Sequence, residues 1–324
     1  MRYLCMKLPG SSLDISKVVL GTDYFGATVP EETAFRLLDI FADAGGNCVD
    51  TARMYASWLP GGAGASERTV GNWLKSRGNR NHIIISTKGG HPRLDQMSTG
   101  RLSRGEIESD VDESLQTLGV DVIDLYWLHR DDVTRPVEDI METLSSLINK
   151  GKIRAIGCSN WRADRIEEAN RAAQTNGFAP FSASQIQWSL ATSTPKAHDD
   201  PTIVCMDEQE YGWYLKESFP VFAFSSQAKG FFARAAAKGL DAINQKAYTR
   251  FSTPENIERL ERVKKYAADN SLTISAVTLG YIMSNQVPAA AIVGCKSEEQ
   301  LLDSLTAADV ELPQTVTDWL FGVV

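Results

Sequence analysis

With 324 residues, 43% hydrophobic and 23% charged, the chain has the composition of an ordinary globular protein and ample apolar material for a large core. Its net charge of -8 speaks against partnership with nucleic acid or an anionic membrane, which depends on concentrated Lys and Arg. No stretch approaches the roughly 18 uninterrupted apolar residues of a membrane span, the opening MRYLCMKLPG lacks a signal-peptide core, and the five cysteines (Cys5, Cys48, Cys158, Cys205, Cys295) contain no CxxC. The expectation is a cytoplasmic protein with reduced thiols, three of them packed inside strand-like runs.

Along the chain, short β-rich runs recur: VVLGT (18–22), CVDTA (48–52), HIIISTK (82–88), DVIDLYWLH (121–129), IRAIGCS (153–159), SASQIQW (182–188), VFAFSS (221–226) and AAAIVGC (289–295). Between them lie segments with 3.6-residue apolar spacing. In EETAFRLLDIFADAG (31–45), Ala34, Leu37, Leu38 and Phe41 fall on one face before Gly45. SERTVGNWLKSRG, SRGEIESDVDESLQTLG, VEDIMETLSSLINKG, RADRIEEANRAAQTNG, DEQEYGWYLKES, ENIERLERVKKYAADN and SEEQLLDSLTAA follow in turn. Near-continuous apolar strands need cover on both faces, and this alternation supplies helices for it, so the sheet is expected to be parallel. Eight units predict a closed (β/α)8 TIM barrel spanning 1–324 as one domain, with long βα loops at its C-terminal face. A doubly wound open sheet accommodates the alternation too, but GTDYFG after the first strand does not give the GxGxxG turn of that fold. Two connections, 189–206 and 227–254, are long enough to read as lids or binding loops over the same face.

Polar residues where apolar strands stop are the chemical signal, because catalytic groups converge on that rim of a barrel. Asp50 stands near the end of the second strand with Tyr55 just beyond it, Lys88 ends the third and His129 ends the fourth. Singly, each has a bland reading: a turn cap, a half-buried aromatic, a surface lysine, a satisfied core histidine. Together they form a proton-transfer set. A free phenol, with a pKa of about 10, is a sluggish acid at neutral pH; an adjacent ammonium stabilises the phenolate and lowers that value, a carboxylate holds the ammonium, and an imidazole bonds the substrate oxygen. Such a set suits carbonyl reduction. The four histidines, at 82, 91, 129 and 198, form no HxH or HxxE pattern, so no metal site is expected.

An ordered series of motifs resembles the aldo-keto reductases over nearly the whole chain: GTDYFG, DTARMY, ASERTVGNWLK, STKGG, DLYWLHRDD, GKIRAIGCSNW, QIQWSL, FAFSSQAKGFF and IVGCKSEEQLLDSL. The resemblance implies Asp50, Tyr55, Lys88 and His129 as catalytic residues, with Tyr55 as proton donor, and NADP(H) as the preferred cofactor, with NAD(H) left open as the alternative. It assigns to cofactor binding Thr22, Asp50, Ser159, Asn160, Gln187, Phe224, Ser225, Ser226, Gln227, Lys229, Gly230, Gly294, Lys296, Ser297, Gln300 and Ser304. Among these, Ser159, Asn160 and Gln187 are expected on the carboxamide, Phe224 on the nicotinamide ring, 225–230 around the diphosphate, and Lys296 with Ser297 at the adenosine 2'-phosphate. The chain departs from the family pattern in Phe224-Ser225-Ser226 for Tyr-Ser-Pro, Trp188 for Tyr and Ser304 for Asn.

Tyr24, Arg53, Trp58, His91, His129, Arg130 and Trp161, with His198 and Asp199 in the loop after strand six, are expected to line the substrate pocket. Their mixture of aromatic and polar groups suits a sugar-like or other polar carbonyl. A different reading is a cofactor-binding regulatory subunit of the same fold with little turnover; filled tetrad positions favour the enzyme. Oligomeric state is left open.

Overall fold

The computed structural model describes residues 4–323. A small antiparallel hairpin, β1 (Cys5–Lys7) with β2 (Asp14–Ser16), precedes eight strands: β3 (Val18–Gly21), β4 (Cys48–Asp50), β5 (Ile84–Gly89), β6 (Ile123–Leu128), β7 (Ile153–Ser159), β8 (Ala183–Gln187), β9 (Val221–Phe224) and β10 (Ala289–Gly294). These eight are all parallel and close into a barrel in chain order, β10 returning to pair with β3 through Ala291 and Val18. The expected (β/α)8 architecture is the observed one.

Side chains alternate faces along each strand, and this period of two sorts the core. Outward residues such as Leu20, Val49, Ile85, Tyr126, Leu128 and Ile156 pack under the helix ring, against Leu37, Phe41, Trp73, Ile107, Leu144 and Ile166. Inward residues at the N-terminal end, Val19, Cys48, Leu125, Ala155, Ala183, Phe222 and Ala290, form a second apolar cluster that Met6, Leu8, Leu13 and Ile15 of the hairpin close from below. Two residues further along the same inward faces the chemistry changes: Cys48 is followed by Asp50, Ser86 by Lys88, Ala183 by Gln185 and Gln187. Trp127 marks the boundary. Its indole fills the barrel beside Phe222, 5.0 Å between ring centroids, and its Nε1–H donates to Ser86 Oγ at 2.7 Å. Gly157 on the neighbouring strand makes this possible, since a Cβ there would lie 2.3 Å from the indole.

The eight expected helices are present, at Glu31–Asp43, Ala65–Arg77, Arg104–Leu118, Val137–Asn149, Ala163–Asn176, Glu208–Glu217, Pro254–Asp269 and Glu298–Leu305. The segment 227–254, expected as a loop, is instead folded: a 3-10 turn at Ala228–Gly230 leads into Phe231–Lys238, another into Gln245–Phe251. FFARAAAK buries Phe231, Phe232 and Ala235 on one face, which is what a helix of only two turns needs to hold. The loop 189–206 rests on this segment. Asn256 is tied to Thr192 through both backbone groups, Ser193 Oγ donates to the Arg250 carbonyl at 3.1 Å, and the His198 ring stands edge-on to Phe251. No helix among the described residues is long and apolar enough to cross a membrane.

Candidate active site

Asp50 is the last residue of β4, in register with Gly21 on one side and Ser86 on the other, and Lys88 follows Ser86 on the same inward face of β5. Asp50 is fully buried and all its lone pairs are directed. Oδ1 accepts from Ser86 Oγ at 2.9 Å and Gln185 Nε2 at 3.1 Å; Oδ2 accepts from Lys88 Nζ at 2.5 Å and Tyr55 Oη at 3.1 Å. Lys88 uses its three protons on Asp50, the Thr51 carbonyl at 2.9 Å and Tyr55 Oη at 2.7 Å. After β4 the chain stays beside β5 through Thr51 N–H to Ser86 O and Arg53 N–H to Lys88 O, then turns back on Tyr55 N–H to Ala52 O. Ala56 completes the reversal at φ 64°, and Gly62 packs on it so closely that a Cβ would meet the Ala56 carbonyl at 2.1 Å. That turn lays the Tyr55 ring over Lys88, Nζ 4.4 Å from the ring centre.

Burial lowers the Lys88 ammonium pKa, and Asp50 works against that. Tyr55 behaves differently from the expectation of a depressed phenol. Burial and the Asp50 carboxylate push it well above 10, so the hydroxyl keeps its proton at any ordinary pH. The His129 ring stands edge-on to Tyr55, 6.1 Å between centres, and to His91 at 4.7 Å. Burial, with His91 and Arg130 nearby, drives His129 well below 6.5 and makes it a neutral imidazole. Burial and Arg130 likewise bring His91 to about 4. His91 Nδ1–H donates to the Pro92 carbonyl at 2.6 Å, which leaves Nε2 as an acceptor. The buried Nδ1 of His129 has no hydrogen-bond partner among the described residues.

Of the residues expected to hold a cofactor, one group has its oxygens and amides committed below the rim. Thr22 Oγ1 is fully buried between the Asp50 carbonyl and Ser66, so it braces Asp50 and is not presented to a ligand. Ser159 donates to the Gln185 carbonyl and accepts from Asn160 Nδ2, whose own backbone is left-handed at φ 58°. Gln187 is buried beside Ser189. Ser304 lies beneath Gln227, donates to the Gln300 carbonyl at 2.8 Å and is almost wholly covered, so it positions Gln227 instead of reaching a ligand itself. Ser226 Oγ is tied to the Ile292 carbonyl at 2.6 Å.

The second group is open. Phe224 and Ser225 are half-buried at the end of β9, Gly294 and Lys296 are exposed at the end of β10. Ser225, Ala228, Lys229 and Gly230 all adopt positive φ, between 47° and 81°, and the helix Phe231–Lys238 begins directly after them. The Ala228 and Gly230 N–H groups close this turn on the Ser225 and Gln227 carbonyls, and the exposed Lys229 and the N-terminus of the following helix are groups of a kind that receives phosphate oxygens. Ser297 caps the last barrel helix by accepting from Gln300 N–H, and Gln300 in turn accepts from Lys296 N–H at 2.9 Å. Lys296 Nζ rests 4.0 Å above the Tyr24 ring. This donor set fits a dinucleotide with an additional phosphate.

The residues expected at the substrate end separate likewise. Tyr24 and Trp58 meet edge-to-face at 6.2 Å, with Trp58 largely exposed, and form an aromatic wall. His91, His129 and Arg130 gather at the ends of β5 and β6. Trp161 is a correction: it is fully buried against Phe181, so it belongs to the core and not to the pocket. Arg53 is also reassigned. Its guanidinium is engaged by Glu113 and Asp110, and Asp110 binds Gly90 N–H and Arg101 as well. Arg101 holds the His91 carbonyl at 3.0 Å, so the ion pairs clamp the turns that carry Tyr55 and His91. His198 turns inward and Asp199 takes the left-handed cap of a one-turn helix.

Three participants were not singled out in the sequence. Gln185 stands two residues before Gln187 on the same inward face, a spacing that the period of two makes readable. Ser86 bears the same relation to Lys88. Asp23, inside GTDYFG, is near Lys229, Lys296 and Lys88, and burial raises its carboxyl pKa against their pull; nothing in the linear sequence marks it.

Residues 17–320 match the aldo/keto reductase family. The chain is 28% identical over 323 residues to norsolorinic acid reductase of Emericella nidulans, covering 94% of this chain and 77% of that one. It is 26% identical over 324 residues to the NADP(+) aryl-alcohol dehydrogenase of Phanerodontia chrysosporium, covering 94% and 81%. An NADP(+) aldo-keto reductase of Schizosaccharomyces pombe is 29% identical over 293 residues, 87% of this chain and 79% of its own. With a closed eight-stranded barrel and a match across nearly its full length, the chain belongs to the aldo/keto reductase family, oxidoreductases that use a nicotinamide cofactor on small carbonyl compounds.

Proposed function

We propose that this protein is an NADPH-dependent carbonyl reductase in which Tyr55 gives its proton to the carbonyl oxygen. The observation that carries the reading is the Tyr55 hydroxyl itself, held between Lys88 Nζ at 2.7 Å and Asp50 Oδ2 at 3.1 Å. A bound reduced nicotinamide supplies the hydride to the carbonyl carbon. Tyr55 completes the alcohol by protonating the oxygen, and the resulting phenolate is met at once by an ammonium that needs no movement to reach it. His129, kept neutral, is a hydrogen-bonding group for the same oxygen. The pre-set Asp50, Ser86 and Gln185 bonds fix Lys88, so little reorganisation accompanies the transfer.

Preference for NADPH is supported by Lys296 and Ser297 at the start of the last barrel helix, with Lys229 close by, and by relatives named for NADP(+). With Arg53 engaged elsewhere, the sugar-like substrate loses one of its supports. The wall of Tyr24 and Trp58 and the guanidinium of Arg130 support a carbonyl compound with both a flat and a polar side.

The test is Tyr55→Phe, assayed with NADPH and an aldehyde panel. Turnover is expected to fall by about 10²–10⁴, while NADPH still quenches protein fluorescence with a similar Kd. Turnover within a few-fold of wild type would remove Tyr55 from the reaction. Tight NADPH binding with no aldehyde reduced by the wild type would instead mark a regulatory barrel.

A further inference from the structure

Apart from Lys88, and from Arg250, whose charge reaches Tyr24 and Asp200 and which bonds the His198 carbonyl, the cations around the cleft fall into two groups. Lys229 and Lys296 accompany the proposed cofactor phosphates. Arg130 stands apart, directly after His129 at the end of β6, where its charge is felt by Tyr55, His129 and His91. It is nine-tenths buried, and three single hydrogen bonds hold it. Nη1 donates to the His129 carbonyl at 2.8 Å, Nε to Thr202 Oγ1 at 2.8 Å and Nη2 to Asp200 Oδ2 at 3.3 Å.

The counter-ion is only half engaged. Asp200 spends Oδ1 on Thr202, accepting from its N–H at 2.9 Å and its Oγ1 at 2.6 Å, and touches Arg130 by one oxygen at a long contact. A guanidinium fork matches a carboxylate with two parallel bonds, and those are the stronger contacts. Here the fork sees one corner of one carboxylate, while the two imidazoles beside it carry no charge. Arg53, which would have competed for an acidic group, is paired with Glu113 and Asp110.

We propose that Arg130 is a specificity-determining residue that reads a carboxylate, and that the substrates are aldehydes or ketones bearing a carboxylate group which replaces Asp200 on the guanidinium. The inference rests on carbonyl reduction at Tyr55. A carboxylate is favoured over a phosphate because one guanidinium meets it and because a carboxylate already occupies part of the position. Asp200 loses little on displacement, since its bonds to Thr202 persist.

Matched substrates provide the test: 4-carboxybenzaldehyde against its methyl ester, with NADPH. In the wild type the acid is expected to exceed the ester at least tenfold in kcat/KM, the difference residing in KM, and benzoate but not benzamide inhibits competitively against the aldehyde. In Arg130→Gln the acid-to-ester ratio falls to about one, a ratio taken on one protein and so insensitive to partial loss of folded enzyme. Asp200→Asn, which keeps Arg130, lowers KM for the acid and strengthens benzoate inhibition, and this carries the test if Arg130→Gln does not fold. Equal use of acid and ester by the wild type, a ratio unchanged by Arg130→Gln, or a preference confined to a phosphorylated aldehyde such as glyceraldehyde 3-phosphate would each overturn the proposal while leaving carbonyl reduction standing. If neither acid, ester nor benzaldehyde is reduced, the carbonyl-reductase reading falls and takes this one with it.

Discussion

Of the four residues that the sequence grouped, Asp50 and Tyr55 are joined by the structure through Lys88, with His129 edge-on to Tyr55, and the energetics of that joint separate two kinds of substitution. Lys88 and Asp50 form a buried ion pair; removing one member strands the other's charge, at a cost of about 3–5 kcal/mol. Tyr55 contributes a hydroxyl to the same pair, and losing it forfeits about 1–3 kcal/mol of hydrogen bonding. Denaturant titrations are therefore expected to rank Asp50→Ala well below Tyr55→Phe in stability, although both lose activity; equal stabilities would mean that the pair is not buried in solution. The histidines give a second reading of the same environment. His91 and His198 are depressed to about 4 and His129 well below 6.5, all by burial first. Their unfolded forms take protons below about 6.5 that the fold refuses, so the stability owed to neutral imidazoles is present above that pH and lost as pH falls toward 4. In proton NMR, the ring signals of these three are expected to stay fixed from pH 8 to 5.5, with His91 and His198 moving only near pH 4. A midpoint near 6.5 for any of them would contradict its burial. At this scale the sequence grouped Asp50, Tyr55 and Lys88, which the structure brings into contact, because each stands at or just beyond the point where an apolar strand stops. It hid Arg53's role, since its partners Asp110 and Glu113 lie some sixty residues away on a helix face.

At the scale of elements, the eight strands and the helices between them were readable from period two and period 3.6, with ends misplaced where the pattern outran the hydrogen bonds. HIIISTK begins in a 3-10 turn at Arg80–His82, not in the strand. What the pattern lacked was any sign of helix ends capped from elsewhere in the chain. Arg162, which precedes the helix Ala163–Asn176, offers no side-chain cap; the first amide, Ala163 N–H, donates instead to Glu210 Oε1 at 3.2 Å, from a helix 47 residues on. Burial raises the Glu210 carboxyl to about 7 despite Arg162, and its Oε2 has no partner among the described residues. A carboxyl raised from about 4.5 to about 7 binds its proton more tightly in the fold, so folding stability falls as pH rises through that interval. Glu210→Gln keeps the accepting oxygen and removes the titration. Against wild type, its stability is expected to be pH-independent at this group and to gain by up to about 3 kcal/mol at pH 8. A Gln variant equally destabilised at pH 5 and pH 8 would show that the carboxyl is ionised throughout.

Across the whole molecule, polarity runs along the barrel axis: the hairpin and a plug of apolar side chains at one end, charged and hydrogen-bonding groups at the other, with Trp127 between them. The polar end was legible, because its residues carry unusual chemistry at regular positions. The hairpin was not, since CMK and DIS are three residues each and have no meaning until the barrel floor exists for them to cover. This division predicts that stability and turnover can be altered separately. Ile15 is fully buried in the plug, opposite Met6 in the hairpin. Ile15→Ala leaves a cavity in the apolar cluster at the hairpin end of the barrel and is expected to cost about 2–5 kcal/mol by denaturant unfolding. Well below the melting transition its kcat/KM is expected to stay within about twofold of wild type, because Asp50, Lys88 and Tyr55 are held by bonds to Ser86, Gln185 and Thr51 and not by the floor. Tyr55→Phe reverses the pattern: turnover is lost, while the stability cost stays at the one hydroxyl's hydrogen bonds, about 1–3 kcal/mol. An Ile15→Ala enzyme that lost activity while still fully folded would mean that the plug sets the height of the inward strand residues, and that floor and rim act as one unit.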